Sequence, residues 1–260
     1  MQKFYVVGIG PGSPEQLTPQ ARAALAQADI IAGYGTYVKL VQPLFPEKEY
    51  LQTGMTGEVK RCQLALAEAQ AGRTVAMISS GDAGVYGMAG LVLQLAAEIC
   101  PEVEVVPVPG ITAASSGAAL LGAPLMHDFA VVSLSDRLTP WEKIARRLKA
   151  AAAADFCLVL YNPRSHGRPE LLARARELIL QHKEGEPAQV GQTPVGIVKN
   201  IGRPGEQAIV TTLADLDEEQ VDMFSTVFIG NSQTYIQETP AGKKIITPRG
   251  YLPADRGEQV

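Results

Sequence analysis

The chain has 260 residues, 46% of them hydrophobic, which excludes disorder as the default and allows one large domain or two of ordinary size. Its 23 Lys and Arg stand against 27 Asp and Glu, giving a formal charge of −4, so there is no global basic field for nucleic acid or anionic lipid, and a polyanionic ligand requires a local basic pocket. The apolar run after Met1-Gln2-Lys3 stops at Gly8, too short for a signal region, and nowhere do about 18 apolar residues follow one another; the expectation is a cytoplasmic protein with no membrane or nucleic-acid partner.

In chain order, short β-rich runs occur at Phe4 to Gly8, Ile30 to Gly33, Val75 to Ser79, Val103 to Val106, Ala130 to Leu134, Cys157 to Leu160, Val195 to Val198, Ile209 to Thr212 and Val227 to Ile229. Helical stretches lie between them, and this alternation predicts an α/β fold. Thr18 with Pro19 reads as a helix start, Glu58 to Ala71 as a helix stopped by Gly72, and Trp141 to Ala154 as a single amphipathic helix. Runs such as Val75-Ala76-Met77-Ile78 are apolar on both faces and suit parallel strands covered on each side. The breaker cluster Pro107-Val108-Pro109-Gly110 closes one strand-helix series and a new series begins near Phe129, so two α/β domains are expected, residues 1–115 and 116–260. Lys183 to Gln192 reads as a surface loop and Ala254 to Val260 as a frayed tail. Cys62, Cys100 and Cys157 are scattered and odd in number, which fits buried small hydrophobes; no metal site is expected.

Three glycine-rich turns follow strands. The first, Gly8-Ile9-Gly10-Pro11-Gly12-Ser13, falls short of the dinucleotide fingerprint: Ser13 stands at the third glycine, Pro11 removes a backbone donor, and Asp29 opens the second strand instead of ending it. It is equally a plain tight turn or a ligand loop. The second, Ser79-Ser80-Gly81-Asp82-Ala83-Gly84-Val85-Tyr86-Gly87, places Asp82 either to accept hydrogen bonds from a ligand or to cap the next helix. The third, Pro109-Gly110-Ile111-Thr112-Ala113, opens a helix of small residues. Such turns belong at the carboxyl ends of parallel strands, where open α/β sheets bind ligands.

These three signatures, in this order, resemble the tetrapyrrole methylases, the class III S-adenosylmethionine-dependent methyltransferases. Further stretches at Ala32 to Tyr37, Leu160-Tyr161-Asn162-Pro163-Arg164-Ser165, Lys199-Asn200-Ile201-Gly202-Arg203, Gly230-Asn231-Ser232 and Thr247-Pro248-Arg249-Gly250-Tyr251 are similar to those of the subfamily that methylates carbon 17 of precorrin-3B or cobalt-factor III in cobalamin biosynthesis. The resemblance implies two α/β domains with parallel or mixed sheets facing each other across a cleft, the cofactor between them, a homodimer, and methyl transfer coupled to ring contraction. It also implies a cofactor wall of Pro11, Ser80, Gly81, Asp82, Val85, Thr112 and Ala113, continued by Asn162 and Thr212. The cofactor would be S-adenosylmethionine, released as S-adenosylhomocysteine, and the partner a tetrapyrrole with or without cobalt.

Methylation by a sulfonium needs alignment and exclusion of water more than a nucleophilic side chain. Ring contraction moves protons and negative charge and calls for an acid or base, for which His127, Asp128, Tyr34, Tyr37, His166 and Lys199 are the candidates. The substrate's acetate and propionate groups suit guanidinium forks, and Arg164, Arg168 and Arg203 are the candidates to hold them. The alternatives are a methylase for a different corrinoid carbon, a more distant class III methyltransferase such as diphthine synthase or a ribosomal RNA enzyme, and a nucleotide-binding module without catalysis.

Overall fold

Alternation along the first strand sets the layering of the amino-terminal half. In β1 (Lys3–Gly8) Phe4 and Val6 pack on one side of the sheet and Tyr5 and Val7 on the other, and all four are buried. The remaining elements of this half are α1 (Pro19–Gln27), β2 (Ile30–Tyr34), α2 (Gly35–Val41), β3 (Glu49–Thr53), α3 (Glu58–Gln70), β4 (Val75–Ser79), α4 (Ala89–Ile99) and β5 (Glu104–Val108). The computed structural model describes residues 3–165 and 167–251, so His166 and the Ala254 to Val260 tail lie outside the described residues. By internal contacts the chain divides into a first unit, Met1–Ala113 with Ile201–Pro204, and a second, Ala114–Asn200 with Gly205–Val260.

The first unit holds a five-stranded sheet in the order β3-β2-β4-β1-β5, parallel throughout. Cys62, Ala65 and Leu66 of α3 and Val92 of α4 cover Phe4, Val6 and Met77 on one face. Leu25 of α1 and Val38 and Val41 of α2 cover Tyr5, Val7, Ala76 and Ile78 on the other. Cover on both faces explains why β4 is apolar at every position but its last, and each fully buried side chain such as Phe4 or Leu66 contributes about 1.5–3 kcal/mol. After β1 the chain travels through β2 and β3, returns to place β4 beside β1, and lands β5 on the other flank. The loops after β1, β4 and β5 therefore emerge side by side at the carboxyl edge, where the strand order reverses.

The second unit contains α5 (Ala113–Leu121, of which Ala113 is counted in the first unit), β6 (Gly122–Ala123), β7 (Phe129–Ser133), α6 (Trp141–Ala153), β8 (Cys157–Tyr161), α7 (Leu171–His182), α8 (Pro187–Gly191), β9 (Pro194–Lys199), β10 (Gln207–Thr212), β11 (Ser225–Ile229), β12 (Tyr235–Thr239) and β13 (Gly242–Ile246). Its main sheet runs β10-β9-β11-β8-β7; β7 and β8 are parallel and the other pairings antiparallel. Ile144 and Leu148 of α6 and Leu172, Ala175 and Ile179 of α7 pack against Leu158, Leu160, Val195 and Ile197. Gly196 lets Leu121 of α5 approach the other face: a Cβ there would lie 2.3 Å from the Leu121 Cδ1. A small sheet in the order β12-β13-β6 completes the unit.

The α/β alternation and the mixed sheets agree with the sequence reading. The Thr18 hydroxyl caps α1 by accepting the Ala21 N–H, and Gly72, at φ +92°, follows the end of α3. Three details differ. Pro107 lies inside β5 and not after it, because β5 is an edge strand and the missing N–H faces no neighbour. The segment from Lys183 to Gln192 is not simply a surface loop: it contains α8, Val190 joins the core, and the buried Lys183 ammonium pairs with Asp155 at 3.3 Å and donates to the Gly230 carbonyl. β3, β6, β12 and β13 lie outside the runs read from sequence: β6 has only two residues, and charged or polar positions in the other three hide the alternation of a half-buried strand.

Candidate cofactor site and its surroundings

Glycine at three positions lets the first unit's loops close on one another. A Cβ on Gly8 would lie 2.7 Å from the Gly110 nitrogen and from the Gly81 oxygen; one on Gly110 would lie 2.2 Å from that same oxygen. Gly10 and Gly81 exchange backbone hydrogen bonds of 3.0 and 2.7 Å, both in the left-handed region. The Asp82 carboxylate adds the third tie, with one oxygen accepting the Gly84 N–H at 2.7 Å and the other the Gly110 N–H at 2.9 Å. The helix that follows begins at Ala89, preceded by Met88, so Asp82 brackets loops and does not cap α4.

Arg203 joins this cluster within the first unit. Its Nε donates to the Pro11 carbonyl at 2.8 Å and its Nη2 to the Ser80 hydroxyl at 2.9 Å, and the guanidinium carbon lies 5.9 Å from the centre of the Tyr37 ring. Burial lowers the Arg203 pKa from its ordinary value. Tyr34, at the end of β2, meets Tyr37 edge-on at 5.3 Å. Burial raises the Tyr37 pKa, the positive charges of Arg203 and Arg61 acting against that rise, so the phenol stays protonated and can donate a hydrogen bond at neutral pH.

Pro11, Ser80, Gly81, Asp82, Val85, Thr112 and Ala113, together with Tyr34, Tyr37 and Arg203, thus share one edge of the first unit. Val85 and Tyr86 expose apolar surface there, and Tyr86 holds φ +53°.

In the second unit, Asn162 follows β8 in the left-handed region at φ +51° and donates to the Ser133 hydroxyl at 2.9 Å. The Tyr161 hydroxyl accepts the Ala114 N–H at 2.8 Å. Lys199 ends β9 at the same edge and pairs with Asp222 at 3.1 Å. Burial works to raise the Asp222 pKa, but the Phe224 N–H, Lys199 and the Ser225 hydroxyl together hold it below the ordinary value.

Thr212 is not brought near Asn162. Because β10 is antiparallel to β9, Thr212 stands opposite Pro194, at the far end of β9 from Lys199, about 17 Å along the strand, and its hydroxyl donates to Asp215. His127 and Asp128 precede β7 at that same far edge, half-exposed and exposed respectively, with 3.8 Å between Nδ1 and Oδ2. Arg164 is committed to the Glu218 carbonyl at 2.6 Å and to Glu219 at 2.8 Å, and Arg168 pairs with Asp136.

One residue escaped the sequence reading. Arg61 lies on the buried face of α3 with Cys62, Ala65, Leu66 and Ala69, and the signal available was a charged residue on an otherwise apolar stripe. Burial lifts the neighbouring Cys62 thiol to about 11, so that sulfur is inert at neutral pH.

The pattern described as tetrapyrrole (corrin/porphyrin) methylases matches residues 3–217. The chain belongs to the tetrapyrrole methylases. It is 52% identical over 246 residues to the probable cobalt-factor III C(17)-methyltransferase of Salmonella typhimurium, covering 95% of this chain and 98% of that protein. It is 41% identical over 257 residues to the precorrin-3B C(17)-methyltransferase of a Sinorhizobium species, covering 97% and 98%. Among solved structures, the methyltransferase CobJ superposes with a TM-score of 0.86 at 35% identity, covering 95% of this methylase and 100% of CobJ.

Proposed function

We propose that this tetrapyrrole methylase transfers a methyl group from S-adenosylmethionine to carbon 17 of precorrin-3B or cobalt-factor III, with contraction of the macrocycle. The observation that carries the reading is 52% identity across 95% of this chain and 98% of a relative named for that reaction. No helix among the described residues is long and apolar enough to cross a membrane, and we infer a cytoplasmic homodimer from the family likeness.

S-adenosylmethionine carries a sulfonium and no phosphate, and the three glycine loops suit such a ligand. Arg203 is turned onto Pro11 and Ser80, while closely approaching backbone and the exposed Val85 and Tyr86 surfaces offer neutral contacts. Pro11, Ser80, Gly81, Asp82, Val85, Thr112 and Ala113 would hold it. When bound, the cofactor supplies the electrophilic methyl group. The chain's own work is to orient the two reactants and exclude water, and Asp82 keeps the loops in register for that. Tyr37, held protonated, and Tyr34 are the best placed of the acid-base candidates for the contraction step. Calorimetric titration tests the cofactor assignment: S-adenosylhomocysteine should bind and NAD should not, and preferential binding of NAD would overturn it.

A further inference from the structure

Arg61 is a buried guanidinium with no counter-charge among the described residues. It is 4% exposed. Its Nη1 donates to the Thr53 hydroxyl at 2.6 Å and its Nη2 to the Met88 sulfur at 3.8 Å, while Nε is buried with no hydrogen-bond partner. Among the described residues it forms no ion pair, whereas Arg73, Arg164, Arg168 and Arg176 each meet a carboxylate. A buried charge with one neutral oxygen and one thioether for company is unfavourable, and an open donor adds to the penalty, so such an arrangement persists where an anion arrives from outside.

The surroundings indicate which anion. Thr53 ends β3 and Met88 closes the loop after β4, so the guanidinium stands at the carboxyl edge of the first unit's sheet, on its β3-β2-β4 side. Met55 and Tyr86, each two residues from one of the Arg61 partners in sequence, expose large apolar side chains. Thr56 and Tyr86 hold left-handed φ values of +68° and +53°, which set the paths of the loops after β3 and β4. The glycine cluster lies toward β1 and β5, and Arg203 bridges the loops after β1 and β4. A buried cation at a sheet edge whose loops carry exposed apolar side chains matches a broad apolar ring that carries carboxylates on short arms.

We propose that Arg61 is the receptor for one peripheral carboxylate of the tetrapyrrole, which displaces the loop cover beside Thr53 and Met88 and takes the unpartnered Nε–H. The inference rests on the proposed function, since it assumes a polycarboxylate macrocycle as substrate. A carboxylate is also present on the methionyl part of the cofactor, and the two sources separate by experiment.

Equilibrium binding of cobalt-factor III, followed anaerobically by its absorbance, should weaken about 10- to 100-fold in Arg61→Met, with an intermediate loss in Arg61→Lys. The dissociation constant for S-adenosylhomocysteine should not move. Arg61→Met should also melt no lower than the wild type, because it replaces an uncompensated buried charge by an apolar side chain of similar length. Wild type should discriminate against the fully methyl-esterified tetrapyrrole, a comparison that needs no variant to fold. Unchanged tetrapyrrole binding in Arg61→Met, or equal wild-type affinity for acid and ester, overturns the receptor role. Weakened S-adenosylhomocysteine binding instead assigns the carboxylate to the cofactor and overturns it equally. Failure of the wild type to bind any tetrapyrrole would refute the proposed function itself.

Discussion

The Asp82 carboxylate accepts the backbone N–H of Gly110 across 28 positions of sequence, at 2.9 Å, joining the loop after β4 to the loop after β5. With the Gly84 N–H on its other oxygen, it makes two charge-assisted bonds that fix the proposed cofactor wall. Asp82→Ala should therefore lower stability by about 1–3 kcal/mol as well as weaken S-adenosylhomocysteine binding, whereas a pure ligand contact would affect binding alone. Urea unfolding beside calorimetric titration separates the two. Full stability with weakened binding would return Asp82 to the role of simple ligand acceptor.

Gly110→Ala should be among the most damaging small substitutions, since the new Cβ would lie 2.2 Å from the Gly81 oxygen and 2.6 Å from the Gly8 carbonyl carbon, all backbone. We expect a loss of about 3 kcal/mol or more, or failure to fold. Gly90→Ala is the control: it sits in α4 with nothing within 4 Å of the place a Cβ would take, and should stabilise by about 0.5–1 kcal/mol. Melting temperatures of the pair give the contrast directly.

Asp222 provides a pH signature. Its folded pKa is depressed below 3.8, so the stability it contributes is present above that value and disappears as pH falls through the lower folded value. Asp222→Asn should cost about 1 kcal/mol near pH 7, a modest figure because the carboxylate is partly exposed, and the gap to wild type should close below about pH 4. A gap independent of pH would mean that its charge plays no part.

The fold was largely legible because its strands are apolar and its helices well punctuated. Val75 to Ser79 could be read as a buried parallel strand without knowing its neighbours, and Thr18-Pro19 marked a helix start by local chemistry alone. What escaped depends on contacts distant in sequence. Pro107 reads as a breaker until β5 is known to be an edge strand, and Lys183 as the start of a surface loop until Asp155 and Gly230 are seen to pair with it. In the candidate site, the glycine turns announced themselves, yet that Asp82 bonds Gly110 and that Arg203 bonds Pro11 required the fold. Arg61 was missed because its importance lies in the partner that it lacks.

Lys183 and Asp155 yield a sharper test of that hidden chemistry. Asp155 also accepts the N–H and the hydroxyl of Ser232, at 2.8 and 2.6 Å, from a left-handed backbone at φ +55°. Asp155→Ala leaves a buried ammonium with only the Gly230 carbonyl and should lower stability by about 2–4 kcal/mol. Asp155→Asn, which tolerates the same backbone, should cost less. Equal small losses in chemical denaturation would show the pair to be incidental.

Anaerobic incubation with S-adenosylmethionine labelled in its methyl group, using cobalt-factor III and precorrin-3B in parallel, tests methyl transfer to a corrinoid carbon most directly. Mass and nuclear magnetic resonance analysis of the product should find one labelled methyl at carbon 17 of a ring-contracted macrocycle from at least one of the two. Transfer to a different carbon, or no label in either tetrapyrrole while S-adenosylhomocysteine still binds, would contradict the account.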